Sequence, residues 1–233
     1  MFARRPSAEH SGMDIRHASE QFSTRVAQAL AAGRARGGRV SVALSPGALS
    51  AAVIAALPRD PALWANAAVF LADTRLACAA SCPAGLRAAL CDLPLRAAQL
   101  HFDVADQCDA LRAARAYEQE LRAWFGLGTG DLPRFDLVIT RLAPDGRVGG
   151  LHAGGEALDE VSRLAVAARA GGRSYLTLTP PVLQAAHSLL VLEAEPAAAQ
   201  DAPQTASPIS AAGTPLSRLR AAGAALELIA EPG

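Results

Sequence analysis

The stretch Arg39-Val40-Ser41-Val42-Ala43-Leu44-Ser45-Pro46-Gly47 decides the fold. Six residues rich in β-branched and small apolar side chains run without alternation, as in a strand buried on both faces, and Ser45-Pro46-Gly47 is a turn signal. Ala48 to Leu57 follows as an alanine-rich helix closed by Pro58, so the order is strand, turn, helix.

The same grammar continues outward. Ala67 to Ala72 is a buried strand followed by the loop Asp73-Thr74-Arg75, and Pro83 to Leu90 is a helix. Ala110 to Phe125 is helical and runs into the Gly-rich loop Gly126 to Gly130. Phe135 to Thr140 is another continuous apolar strand, ending in a loop from Arg141 to Gly150. Ser174 to Thr179 and Ser188 to Leu192 supply two more strands around a short helix from Pro181 to His187, and Leu216 to Ala230 closes the chain with a helix or strand. Upstream, Ile15, Ala18, Phe22, Val26, Ala29 and Leu30 recur at helical spacing until Gly33, Gly37 and Gly38. Strands alternating with helices predict an α/β fold: a mostly parallel, open, Rossmann-like sheet with helices on both faces, in a single domain. An N-terminal arm and opening helix take residues 1–38, and the α/β domain takes 39–233. The stretch 193–213, made of Ala, Pro, Gln, Ser and Thr without periodicity, is expected as a mobile loop.

Composition sets what this fold can do. Of 233 residues 51% are apolar, enough to bury a large core, and the 22 basic and 22 acidic side chains cancel. Neither a nucleic-acid footprint nor a polybasic membrane surface fits a chain without excess positive charge. Every basic residue is arginine, which removes lysine Schiff-base chemistry, and alanine takes roughly a quarter of the chain. Cys78, Cys82, Cys91 and Cys108 lack metal-ligand spacing, so no zinc site is expected. Met1 to Ser11 lacks the apolar stretch of a secretory signal, and a soluble, cytoplasmic protein is the expectation.

Ligands of open α/β sheets collect beyond the carboxyl ends of the strands. Three loops stand there: Ser45-Pro46-Gly47, Asp73-Thr74-Arg75 and Pro144-Asp145-Gly146-Arg147. The first can offer backbone N–H groups and a hydroxyl to a phosphate, although most such turns bind nothing. Asp73 and Arg75 fit either a site pair or a surface ion pair. Pro144-Asp145-Gly146 by itself is an ordinary turn.

Taken together and in this order, the loops resemble the 6-phosphogluconolactonase family, relatives of the glucosamine-6-phosphate isomerases. Its pattern is a Ser-Gly-Gly-type phosphate loop, then Asp-Glu-Arg, then Gly-x-Gly-x-Asp-Gly-His-x-Ala-Ser-Leu-Phe-Pro. The counterparts here are Ser45 to Gly47, Asp73 to Arg75, and Arg141 to Ala153. Leu176-Thr177-Leu178-Thr179-Pro180, Ala185-Ala186-His187 and Pro215-Leu216-Ser217 resemble later segments of the family, so the match runs from about Val40 onward. Asp73 and Arg75 favour the lactonase branch over the isomerase branch.

The resemblance implies hydrolysis of 6-phospho-glucono-lactone to 6-phosphogluconate, a step of the pentose phosphate pathway, with a sugar phosphate as partner, no metal or organic cofactor, and a monomer or homodimer. It assigns Asp73, Arg75 and Asp145 to the catalytic centre and Ser45 and Gly47 to the phosphate. The departures are equally specific. Arg147 stands where the family has its base histidine, and a guanidinium cannot accept a proton. Arg147 is expected at the oxyanion, and His152, five residues on, is the nearby replacement base. Arg141 and Ala143 replace glycines, Pro46 deletes an N–H donor, and Tyr175 replaces an arginine for which Arg173 can compensate on phosphate. Two functions are therefore open: a divergent lactonase, or a degenerate site that binds a sugar phosphate without turnover as a regulatory module.

Overall fold

The structure, a computed structural model, describes residues 8–76, 82–103, 109–170, 172–193 and 213–232. Helix α1, Ala8–Gly37, ends at Gly38, whose φ of 71° is one that L side chains rarely adopt. Strand β1, Val40–Leu44, follows, then a single 3-10 turn at Pro46–Ala48 and helix α2, Ala51–Ala56, whose Ser50 side chain accepts from the Val53 N–H. The helix expected from Ala48 is thus split, because Pro46 begins its own short turn. Helix α3, Pro61–Trp64, leads to β2, Ala67–Leu71. Every residue of β1 and β2 is buried, so both faces of the sheet are covered here.

At Ala72 the chain changes sheets. Its N–H donates to the Leu44 carbonyl (2.9 Å), continuing the pairing of β2 with β1, while its carbonyl accepts from the Leu178 N–H (2.8 Å). The next residues, Asp73–Leu76, are strand β3 of a second sheet rather than the loop expected at Asp73-Thr74-Arg75. Helix α4, Cys82–Ala89, the two-residue strand β4, Leu100–His101, and helix α5, Ala110–Phe125, come next. Because β4 pairs only with Val69 and Phe70, the last residue of β2 lacks a strand partner on that side. The buried Tyr117 hydroxyl of α5 fills the gap, accepting from the Leu71 N–H (2.8 Å) and donating to its carbonyl (2.7 Å).

Strand β5, Leu137–Leu142, is followed by β6, Ala165–Ala170, and β7, Arg173–Leu178. Helix α6, Pro180–Ala185, β8, Leu189–Glu193, helix α7, Pro215–Ala221, and β9, Leu226–Ala230, complete the described chain. The expected closing segment is therefore both helix and strand. The mobile loop expected over 193–213 lies outside the described residues, apart from Glu193 at the end of β8 and Gly213.

Six strands form a parallel sheet in the order β4-β2-β1-β5-β8-β9. Counted along the chain this is 3-2-1-4-5-6, so the direction of winding reverses between β1 and β5 and a crevice opens beyond their carboxyl ends. Strand β7, expected in this sheet at Ser174 to Thr179, belongs instead to a three-stranded antiparallel sheet, β3-β7-β6, registered by Asp73↔Thr177 and Arg75↔Tyr175. One continuous hydrophobic core underlies both. Among the described residues no helix is long and apolar enough to cross a membrane.

Helix α1 belongs to that core through the fully buried Phe22, Val26 and Leu30. It is fastened by Asp136, which accepts from the Ser41 N–H (2.8 Å), the Ser41 hydroxyl (2.9 Å) and the Arg36 guanidinium (2.7 Å). Gly33 makes this approach possible, since a Cβ there would lie 2.8 Å from the Asp136 Cγ. Gly33→Ala should destabilise the fold by about 1–3 kcal/mol through overpacking, against the roughly 1 kcal/mol that alanine gains in a helix interior. The midpoint of urea unfolding measures the sign.

Candidate active site

The crevice at the winding reversal is a cleft of about 540 Å³ lined by Ser45, Gly47, Asp73, Arg75, Arg141 and Arg147, with Tyr175 closing one side. Each element delivers its part: the turn after β1 brings Ser45 to Gly47, the switch of sheets at Ala72 brings Asp73 and Arg75, and the end of β5 with its loop brings Arg141 and Arg147. All three loops chosen from the sequence therefore meet in one place.

Among the described residues Asp73 is the only acidic side chain of this lining, and the surrounding groups set its chemistry. Ser45 Oγ lies within hydrogen-bonding distance of both the Asp73 carboxylate and Thr140 Oγ1 (3.0 Å). Having one proton, the Ser45 hydroxyl donates to the carboxylate and accepts from Thr140. Burial raises the Asp73 pKa from its ordinary 3.8 to about 6, with the Ser45 hydrogen bond and the charge of Arg147 opposing the rise. A carboxylate of this kind is ionised at neutral pH yet basic enough to take a proton.

The loop after β5 lies close over this group. A tight turn brings the Ala143 N–H to the Arg147 carbonyl (2.8 Å), with Gly146 at a φ of 79°. Gly149, at a φ of 58°, packs so near that a Cβ would sit 3.0 Å from Asp73 Oδ1 and 3.1 Å from Thr140 Oγ1. Both its backbone angle and its contacts require glycine. Arg147 Nε donates to Asp145 Oδ2 (2.7 Å), its guanidinium carbon lies 5.7 Å from the centre of the Tyr175 ring, and the ion pair with Asp145 helps hold its pKa above the ordinary arginine value. Asp145 thus reaches the site through Arg147 and does not line the cleft. Arg75, opposite Tyr175 in register, is exposed and has no ion-pair partner among the described residues.

Two sequence candidates stand elsewhere. His152 lines a separate cleft of about 710 Å³ with Asp109, Glu156, Arg169 and Ser174. The positive-φ residues Gly149 and Gly154 redirect the chain on either side of it, and its ring packs against Gly155 with Nδ1 buried and unpartnered. Arg173, at the start of β7, is exposed and lines neither cleft. Thr140 and Tyr175 were not singled out as working residues, since a strand-end threonine and an isolated tyrosine carry no motif. The one available signal was their position at the ends of apolar runs. Among the described residues no group of three or more His, Cys, Asp or Glu side chains converges as a metal site.

The family described as glucosamine-6-phosphate isomerases/6-phosphogluconolactonase matches residues 14–226. The chain is 29% identical over 175 residues to the 6-phosphogluconolactonase of Synechocystis sp., covering 73% of this chain and 71% of that protein. It is 28% identical over 162 residues to the one from Nostoc sp., covering 67% of each. Among solved structures, the 6-phosphogluconolactonase from Trypanosoma cruzi superposes with a TM-score of 0.70 at 21% identity, over 93% of this chain and 91% of that one. The fold, the three loops meeting at the winding reversal and a match over nearly the whole length agree: the chain belongs to the glucosamine-6-phosphate isomerase/6-phosphogluconolactonase family.

Proposed function

We propose that the protein hydrolyses 6-phospho-glucono-lactone to 6-phosphogluconate, with Asp73 as the general base. The observation that carries this reading is a carboxylate of pKa about 6 in a cleft lined by arginines. Both sequence relatives described above are named 6-phosphogluconolactonase, which supports the lactonase branch over the isomerase branch.

The chemistry follows from the groups present. The Asp73 carboxylate, oriented by Ser45, removes a proton from water as the oxygen attacks the lactone carbonyl. The Arg147 guanidinium, fixed by Asp145 and Tyr175, offers N–H donors to the oxyanion that develops, and Arg75 adds positive charge on the same side. When the ring C–O bond breaks, the proton held by Asp73 passes to the departing ring oxygen, leaving the open-chain acid. The Gly47 side of the turn is left for the phosphate, since the hydroxyl and N–H of Ser45 are committed to Asp73 and to the Ile139 carbonyl. Side chains and water supply every step, so the reaction draws on no metal or organic cofactor, and a place in the pentose phosphate pathway of the cytoplasm follows from the substrate. Arg147 is then no substitute for a base histidine. It is the electrostatic partner of a base that sits on β3, and His152, in the neighbouring cleft, is not needed for proton transfer.

Asp73→Asn should reduce lactone hydrolysis by about 10²–10⁴-fold, the range of a lost general base, and Arg147→Ala by about 10–100-fold. His152→Ala should stay near the wild-type rate. Each is measured against spontaneous hydrolysis, and wild-type turnover no faster than that background would sink the proposal.

The rate should also depend on pH, with kcat/KM rising through about pH 6 as Asp73 ionises and levelling above it. A profile flat from pH 5 to 8 would remove Asp73 as the base.

Stability should move oppositely. The folded state holds the Asp73 proton more tightly than the unfolded state does, so this contribution is complete below about pH 4 and is lost as pH rises through about 6. Asp73→Asn should therefore have a higher Tm than wild type at pH 7.5, and calorimetry should show that advantage vanishing by pH 4.

A further inference from the structure

Arg141 lines the same cleft at the carboxyl end of β5, beside the Ser45 to Gly47 turn. Its guanidinium is ion-paired without a hydrogen bond: Nη2 lies 3.0 Å from Oε2 of Glu231, a carboxylate only 13% exposed. Glu231 is itself fixed just beyond β9, its N–H donating to the Glu193 carbonyl at the end of β8 (2.9 Å). The remaining donors are poorly used. Nη1 reaches the Gly47 carbonyl only at 3.4 Å, and Nε is buried with no acceptor. The guanidinium is therefore weakly committed at Nη1, beside the Gly47 turn, and a charge-assisted bond to an anion there would be stronger than the long contact it replaces.

The other cations of the cleft are placed differently. Arg147 is committed to Asp145 and lies over Tyr175, next to Asp73, where the lactone carbonyl must sit for the reaction proposed above. Arg75 belongs to that same side through its register with Tyr175. This leaves the Gly47 side for the other charged end of the substrate, and Arg141 is the cation there.

We infer that Arg141, aimed by Glu231, is the residue that grips the substrate phosphate, its terminal guanidinium N–H groups donating to the phosphate oxygens beside the Ser45 to Gly47 turn. Glu231 is a positioning residue: it touches no substrate atom and acts by fixing the guanidinium. The phosphate duty expected of Arg173 passes to a side chain that the sequence comparison counted as an obstruction. This assignment rests on the lactonase reading for the identity of the substrate but not for the presence of an anion site.

The test uses the full chain and separates binding from turnover. Calorimetry with 6-phosphogluconate, and separately with inorganic phosphate, compares wild type with Arg141→Ala and Glu231→Gln. Arg141→Ala should weaken 6-phosphogluconate about tenfold or more, the scale of a lost charge-assisted hydrogen-bond pair. It should also cut the preference for phosphorylated over unphosphorylated gluconolactone by a similar factor. Glu231→Gln should raise KM more than it lowers kcat. Wild-type affinity in Arg141→Ala, or an equal loss of rate on both lactones, overturns the inference. A wild-type chain that binds 6-phosphogluconate without hydrolysing the lactone defeats the proposed activity alone, and the binding comparison still decides the role of Arg141.

Discussion

The site depends on the backbone of one residue. Ala72 gives its N–H to β1 and its carbonyl to β7, so it is the last rung of the parallel sheet and the first of the antiparallel one. Parallel strands end with unsatisfied backbone groups at their carboxyl edge, and most chains leave that edge by a turn into a helix. Here β2 passes directly into β3, and the second sheet grows over the edge. Asp73 is the first residue past this junction. It is held over Ser45 and Thr140 by the hydrogen-bond ladders on either side, without reliance on a flexible loop.

This placement explains the electrostatics of the cleft. A carboxylate carried into a wall between two sheets loses solvent, and its pKa rises. The Ser45 hydroxyl and the Arg147 charge return only part of the loss. A pKa tuned this way needs no histidine. The same wall keeps the Arg147 guanidinium close enough for its charge to act on Asp73, and in the proposed reaction the roles pass among these neighbouring side chains. Beside the Gly47 turn Arg141 fills space that a glycine would leave open.

How much of this the sequence could reveal depended on the environment of each strand. Strands β1, β2, β5 and β8 lie in a two-faced interior and read as unbroken apolar runs. Their alternation with helices pointed to a mostly parallel sheet, while the strand order came only from the structure. Strand β3 reads as a polar loop because Asp73 and Arg75 face the cleft while Thr74 and Leu76 are buried, leaving too short an alternation to recognise. Strand β6 escaped because Ala165 to Ala170 is mostly alanine, which has little strand preference of its own and is held there by pairing with β7. Asp73, Arg75, Ser45 and Gly47 were legible because each follows directly from a strand end. His152 was not, since its direction is set by glycines with positive φ whose effect no linear spacing conveys. Glu231 gave no sign at all, as its role exists only once β9 lies beside β8.

The Ala72 junction also has a kinetic meaning. Its two hydrogen bonds join partners close in sequence on one side and very distant on the other, and distant pairings form late because long loops must close first. The β4-β2-β1 edge of the parallel sheet can assemble from nearby strands while β3 still waits for β7. Asp73 then enters its low-dielectric position only when that pairing forms, so a partly folded chain carries an ordinary exposed carboxylate, and the raised pKa appears with the completed fold.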